Sequence, residues 1–305
     1  MKKDLKNKPA SIHDRLNKLA KSQQRLFNEL YYIYANERFL YRLSQSPHVS
    51  KFILKGAMAV LNLQLAKTRY TRDIDLLGFT DNDIQNIEQI IREVCEIQFI
   101  DDGLVFDPSS VTGSIIKLHD DYPGVRVNFN VSLGKGTPIK LQIDIGFGDT
   151  VYPAPEKKPY HGLLELPKAM IRIYPIEAIL AEKIQAIVKL DLLNSRIKDI
   201  YDIWLIASSQ KIDGSVLAKA LQVTFENRQT LYPENLILFD QSFLTLRRIN
   251  AWKAIGRKLP SVENLPDLID IIERLSSFLT PVLDALYHDE EFSLVWDPSK
   301  DWGWN

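Results

Sequence analysis

The sequence predicts an α/β (α+β) protein, a mixed sheet flanked by helices and followed by a C-terminal helical bundle. Three observations carry this. Apolar residues recur at three- and four-residue steps between residues 11 and 47, alternate with polar ones between 111 and 148, and return to helical spacing beyond Pro175. At 305 residues and 45% hydrophobic content the chain is long enough for two cores. The patterns divide it into N-terminal helices over 1–50, a sheet domain over 51–170 and a helical domain over 171–305.

Leu16, Leu19 and Ala20, then Phe27, Leu30, Tyr31 and Tyr34, give residues 11–47 a helical stripe that ends at Ser46-Pro47. Phe52-Ile53-Leu54 reads as a short strand. Gly56 permits a tight turn into a helix from Ala57 to Leu65, and Arg72 to Leu77 is the next strand. Thr80 or Asp81 is a suitable cap for a helix through Ile97, with Ile84, Ile87, Ile90, Ile91 and Val94 inward. Val125, Val127, Phe129 and Val131 alternate along a strand. Gly134-Lys135-Gly136 turns the chain, and Ile139 to Phe147 forms the partner. Pro and Gly cluster over 146–167, which reads as loop. Helices are predicted at 176–191, 195–209, 214–226, about 240–258 and 263–287.

Composition narrows the chemistry. The single cysteine, Cys95, excludes an internal disulfide and a multi-cysteine zinc site, and its place is the packed face of a helix. No apolar stretch reaches the length of a membrane span, so a soluble cytoplasmic protein is expected. The net charge of −1 hides local asymmetry. Lys2, Lys3, Lys6, Lys8, Arg15, Lys18, Lys21 and Arg25 crowd the N-terminus, and Arg247, Arg248, Lys253, Arg257 and Lys258 form a second basic stretch. Such stripes suit a phosphate backbone and also suit ordinary solvated helix faces.

The most informative residues are Asp73-Ile74-Asp75. On a strand, both carboxylates leave the same side of the sheet, where their repulsion is costly without a cation. Hard ions such as Mg²⁺ take oxygen ligands and bridge carboxylates to substrate phosphates. Asp144, in the apolar run Leu141–Ile145, is the candidate third ligand. The bland alternative places Asp73 and Asp75 on a solvent-facing edge, with Ile74 and Leu76 toward the core. Lys183 shares a helix face with Ile176, Leu180 and Ile187, so its stem crosses apolar surface. It is either a cation for a triphosphate or a lysine snorkelling beside Glu182. Asp199 and Asp202 lie three apart near Arg196 and Lys198, as ordinary helical ion pairs also would. Arg69 and Arg72 either contact phosphates or balance nearby acids. Asp149 reads as a turn residue and His119 as a loop residue. The five histidines lack metal spacing, and there is no Gly-x-Ser-x-Gly elbow, Walker loop or dinucleotide fingerprint.

The order strand, Gly turn, helix, Asp-x-Asp strand and later single-Asp strand resembles the DNA polymerase β-like nucleotidyltransferase superfamily. Four motifs narrow this to the AbiEii-type nucleotidyltransferase toxins. They are Leu54-Lys55-Gly56-Ala57-Met58-Ala59 with Tyr70-Thr71-Arg72-Asp73-Ile74-Asp75-Leu76, then Ile143–Asp149, then Pro175–Ala186 with Lys183, and finally Arg196–Asp202. They span residues 54–202 in the family's order. The resemblance implies a polymerase β-like mixed sheet and two Mg²⁺ ions, with Mn²⁺ as an alternative, held by Asp73, Asp75 and Asp144. Asp144 would also activate the acceptor hydroxyl. It implies an NTP whose phosphates meet Lys55, Gly56, the N–H groups from Ala57 onward, Arg72 and Lys183, with Asp199 and Asp202 orienting Lys183 or the base and ribose. The family usually carries a small polar residue or Gly at position 57. Ala57 offers only its backbone N–H, so a hydroxyl contact or autophosphorylation there is excluded.

The activity implied is transfer of NMP to an RNA hydroxyl, the tRNA 3′ end first among acceptors, by the toxin of a bacterial toxin–antitoxin or phage-defence pair with a cognate antitoxin. The two basic stretches would hold the RNA backbone. A small-molecule or protein acceptor is the second reading, and a catalytically idle RNA- or partner-binding module the third.

Overall fold

The computed structural model describes residues 7–117, 123–190, 196–257, 259 and 265–304. The expectations for Lys2, Lys3, Lys6, His119 and Lys258 lie outside the described residues. The chain forms two compact units. The described residues of the first fall within Met1–Asn62, Tyr70–Gly148 and Glu156–Ile173, and those of the second within Leu63–Arg69, Asp149–Pro155 and Tyr174–Asn305. The N-terminal helices therefore belong to the sheet unit, and two short segments of the central region group with the helical unit.

In the first unit, α1 (Lys8–Ser22) starts at Asn7, whose side chain accepts from the Ala10 N–H, and buries Ile12, Leu16 and Ala20. The helix expected to run on to residue 47 stops here. No apolar residue continues the stripe at 23 or 24, and Gln24 takes a left-handed conformation at φ 52°. Helix α2 (Phe27–Gln45) is buried along most of its length, polar residues included. Arg42 forks onto Asp102, donating Nη1 to Oδ2 at 2.5 Å and Nη2 to Oδ1 at 3.3 Å, while Arg38 Nε adds a bond at 3.3 Å. Asn36 donates to the Arg72 carbonyl at 3.0 Å, tying the helix to the residue just before the Asp-x-Asp strand.

The sheet has seven strands: β1 (Phe52–Lys55), β2 (Asp73–Gly78), β3 (Leu104–Lys117), β4 (Pro123–Leu133), β5 (Ile139–Phe147), β6 (Glu156–Pro159) and β7 (Met170–Ile173), in the order β3-β4-β5-β2-β1-β7-β6. β2 runs parallel to β5 and antiparallel to β1, which is parallel to β7. The sheet is mixed, as expected, but β6 falls in the stretch 146–167 read as loop, and β7 falls in the unassigned residues between that stretch and the helix predicted at 176. Both are only four residues long, too short for a clear alternation. Helix α3 (Gly56–Leu61) is shorter than expected and packs on β1 and β2. Asp83, rather than Thr80 or Asp81, caps α4 (Ile84–Glu96) by accepting from the Asn86 N–H. Cys95 is buried on α4, and burial pushes its thiol up to about 12.

The second unit holds α5 (Ile176–Leu190), α6 (Ile197–Ala207), α7 (Gly214–Asn227), α8 (Leu246–Gly256) and α9 (Leu268–Tyr287). It is not wholly helical. A three-stranded antiparallel sheet joins β8 (Ile212–Asp213), β9 (Val295–Asp297) and β10 (Asp301–Gly303). Trp296 anchors it, fully buried against Phe278 and donating its indole N–H to the Ala207 carbonyl at 2.7 Å. Strands of two or three residues leave no periodic trace in a sequence.

One buried acid gives the first unit a pH dependence. Glu37 on α2 accepts from the Leu163 N–H at 3.0 and 3.1 Å, and burial pushes its pKa up to about 8. The folded chain binds this proton more tightly than the unfolded chain. Its contribution is therefore complete below the ordinary carboxylate pKa and is lost as pH rises through about 8. The melting temperature should fall between about pH 5 and about pH 8.5, and Glu37→Gln should flatten that fall. Parallel pH profiles for the two proteins would assign the dependence elsewhere.

Candidate active site

Strand pairing assembles the acidic side chains. In the parallel β2–β5 register Asp75 lies opposite Asp144, and Asp73 opposite Gln142. Directly paired residues share a face, as do residues two apart on one strand, so Asp73, Asp75 and Asp144 emerge on one side of the sheet. Ile74, Leu76, Ile143 and Ile145 point the other way and are at most 1% exposed. The edge-strand alternative is therefore excluded, because β2 is internal, between β1 and β5. The remaining registers extend the row: Lys55 of β1 lies opposite Asp75, and Arg126 of β4 opposite Asp144. Across four strands the charges run Lys55, Asp75, Asp144, Arg126.

Arg126 was not among the residues expected here. Its guanidinium is bidentate on Asp144, Nε to Oδ1 at 2.8 Å and Nη2 to Oδ2 at 2.7 Å. The hydrogen bond to Asp144 raises the Arg126 pKa, with further support from the charges of Asp144, Asp73 and Asp75. Gln142 Nε2 adds a contact of 3.3 Å to each Asp144 oxygen. Only the cross-strand register marks Arg126, since within β4 it is simply the outward residue between Val125 and Val127.

Gly56 sits where only glycine fits. Its φ is +64°, and a Cβ there would lie 2.0 Å from Asp75 Oδ2. The backbone that opens α3 is thus packed directly on the metal-candidate carboxylate. Ala57 is buried. Arg72 is exposed, donates Nε to the Tyr70 hydroxyl at 3.1 Å and lies 5.2 Å from the Tyr32 ring centre.

The donor set suits a divalent ion: hard carboxylate oxygens on adjacent strands, and beside them a cradle that a Cβ would fill. They do not yet surround one point. Among the described residues no three acidic, histidine or cysteine side chains are gathered around a common metal position, and Asp144 faces Arg126.

The second constellation lies within the helical unit. Lys183 of α5 donates to Asp199 Oδ1 and Asp202 Oδ2 of α6, both at 2.7 Å. Arg69 is bidentate on Asp202 at 2.8 and 2.7 Å, and Arg196 reaches Asp199 Oδ2 at 3.2 Å. The Asp pair thus serves a lysine from another helix. Burial disfavours the Lys183 ammonium, but Asp199 and Asp202 outweigh it and hold its pKa above the usual lysine range. Burial likewise opposes ionised Asp199, and Lys183 and Arg196 reverse this and hold it low. Arg69, one of two arginines expected to contact phosphates or balance nearby acids, pairs with Asp202. Glu182 does not accompany Lys183; it accepts from Arg228 Nη2 at 2.7 Å. Asp149 accepts from the same guanidinium, at 3.1 Å from Nε and 3.0 Å from Nη2.

The basic stretches are only partly surface. Arg248 is buried, donating to the Phe243 carbonyl at 3.0 Å, whereas Arg247, Lys253 and Arg257 are exposed. Lys18 and Lys21 are exposed on α1, and Lys8 pairs with Asp101 at 3.0 Å. Among the described residues no helix is long and apolar enough to cross a membrane.

Two substitutions probe the two constellations. Gly56→Ala should destabilise the first unit by at least about 1 kcal/mol from left-handed strain alone, with a lowered urea midpoint; unchanged stability would mean that the turn is not constrained as described. Asp202→Ala removes the bidentate acid from Arg69 and one of the two acids on Lys183, and should cost about 3–5 kcal/mol in urea denaturation. A loss below about 1 kcal/mol would match an exposed pair instead.

Comparison with known proteins adds to this geometry. Residues 38–274, more than half of the chain, match the family model described as nucleotidyl transferase AbiEii toxin, type IV toxin–antitoxin system. No curated protein matches. Among solved structures, JHP933 from Helicobacter pylori is similar at 14% identity and a TM-score of 0.47, covering 87% of this chain and 96% of its own. An antigenic nucleotidyltransferase-like protein from Paracoccidioides brasiliensis gives 16% identity and a TM-score of 0.39, covering 79% of this chain and 94% of its own.

Proposed function

The chain belongs to the AbiEii family of nucleotidyltransferase toxins of type IV toxin–antitoxin systems, and from that membership we propose a Mg²⁺-dependent transfer of NMP from an NTP to the 3′ end of tRNA. The observation that carries this reading is the register of Asp75 beside Asp144, with Asp73 on the same face. Asp73, Asp75 and Asp144 would hold the divalent ion, Mg²⁺ or Mn²⁺, two ions where both positions fill. When bound, Mg²⁺ supplies Lewis-acid activation of the attacking hydroxyl and charge neutralisation of the departing pyrophosphate.

The other roles belong to side chains and backbone. Lys55, beside Asp75 in the row, and the exposed Arg72 are cations suited to phosphate oxygens. Gly56 lets backbone approach closely where a side chain would collide with Asp75. Ala57 contributes no hydroxyl to the phosphates. Asp144 would accept the acceptor hydroxyl's proton once its guanidinium partner is displaced. In the helical unit, Lys183 is kept protonated by Asp199 and Asp202, which account for two of its three N–H donors. The third suits a substrate phosphate.

An RNA acceptor is favoured by the exposed cations Arg247, Lys253 and Arg257 on α8 and Lys18 and Lys21 on α1. The family's toxin role implies a cognate antitoxin.

Purified protein with Mg²⁺ and α-labelled NTPs should label a tRNA pool, with labelling falling steeply as salt rises. Asp73→Asn and Asp75→Asn should each abolish it. Labelling that survives in both variants would remove the acidic mechanism. Labelling of protein or a small acceptor in place of tRNA would keep the chemistry and overturn the RNA acceptor.

A further inference from the structure

The acidic row carries a cation of its own. A carboxylate that ligates a metal must present oxygen lone pairs to it, yet both Asp144 oxygens are engaged by the Arg126 fork and approached by Gln142. The arrangement is built into the fold, because three strand registers bring Lys55, Asp75, Asp144 and Arg126 to one level of the sheet. Arg126 is also able to leave. Its side chain is 38% exposed, against 10% for Asp144, so the guanidinium can return to solvent while the carboxylate stays in place.

We propose that Arg126 is a positioning residue that occupies Asp144 in place of the divalent ion and is exchanged for it when the nucleotide arrives. This rests on the metal-dependent reading above. Without metal, Arg126 offsets the repulsion between Asp75 and Asp144 and keeps the Asp144 carboxylate on the working face. A divalent ion alone must break a bidentate, charge-assisted pair and leave a guanidinium with no anionic partner. With the nucleotide, the phosphates receive that guanidinium, and planar fork geometry fits phosphate oxygens as well as carboxylate. Metal and NTP then bind cooperatively, and each raises the affinity for the other by the same factor.

The test is Mn²⁺ titration of the full chain, followed by the electron paramagnetic resonance signal of free Mn²⁺, with and without the α,β-methylene analogues of the four NTPs. Wild-type protein should bind Mn²⁺ weakly alone and more tightly with an analogue. Arg126→Met should bind Mn²⁺ alone about tenfold more tightly than wild type, since one charge-assisted pair no longer competes, and most of the cooperativity should vanish. Arg126→Lys, which keeps the charge without the fork, should fall between them and guards against a folding defect in the methionine variant. Metal-free Arg126→Met should melt lower than wild type and gain more on Mn²⁺ addition. A purely structural arginine predicts the reverse: Mn²⁺ affinity unchanged or weakened in both variants, which would overturn the proposal. Asp75→Asn separates the two readings. If it binds Mn²⁺ like wild type, or if no protein binds Mn²⁺ even with analogue, the metal-dependent function itself falls. If Asp75→Asn loses Mn²⁺ while the Arg126 variants match wild type, only the Arg126 assignment falls.

Discussion

Two carboxylates set side by side on neighbouring parallel strands is an arrangement that a protein does not hold for nothing. Asp75 and Asp144 are register partners at the centre of a sheet, and Asp73 stands two residues along on the same face. Like charges so placed repel. The fold answers with cations on both flanks, Lys55 on β1 and Arg126 on β4, at the same level of the sheet. The opposite faces of the same strands supply the cohesion, with Ile74, Leu76, Ile143 and Ile145 almost completely excluded from water. Apolar burial on one side thus fixes the register that forces the acids together on the other. A one-residue slip of β5 would send Asp144 into the core.

The helical unit handles charge differently. Lys183, Asp199, Asp202 and Arg69 form a network in which every member is satisfied by opposite charge at hydrogen-bond distance. Arg228 with Glu182 and Asp149 repeats the device. Buried pairs of this kind add modestly to stability when intact and cost heavily when one member is removed. The consequence for function is that Lys183 stays a fixed positive charge at any ordinary pH. Its ammonium is positioned by two carboxylates from one helix before any substrate arrives.

Much of this was legible in the residues. The Asp-x-Asp spacing shows two acids on one strand face, and the apolar run around Asp144 marks a second buried strand, so the acidic set could be named before its geometry was known. What single-strand patterns do not contain is which strands are neighbours. Arg126 escaped for that reason, because its partner lies on another strand; the pairing of Arg69 with Asp202, 133 residues away on a helix, is likewise absent from any local pattern. The short strands β6 to β10 escaped because they are too brief for a period to register. The helix break at 23–26 was present as a gap in the apolar stripe, and the conformation of Gln24 shows where the chain used it.

Charge balance ties the site together. Three carboxylates, Asp73, Asp75 and Asp144, stand against two row cations, Lys55 and Arg126. By formal charge these five side chains carry one net negative charge. Adding divalent cations alone would make the row strongly positive, and adding a triphosphate alone would crowd anions against the acids. Only the two together restore the balance, with the phosphates facing the cations and the metal facing the carboxylates. On this argument the site is poised for the metal–nucleotide complex as a single ligand. The small volume left beside Gly56, where even a methyl group would strike Asp75, requires backbone atoms rather than side chains to line that approach.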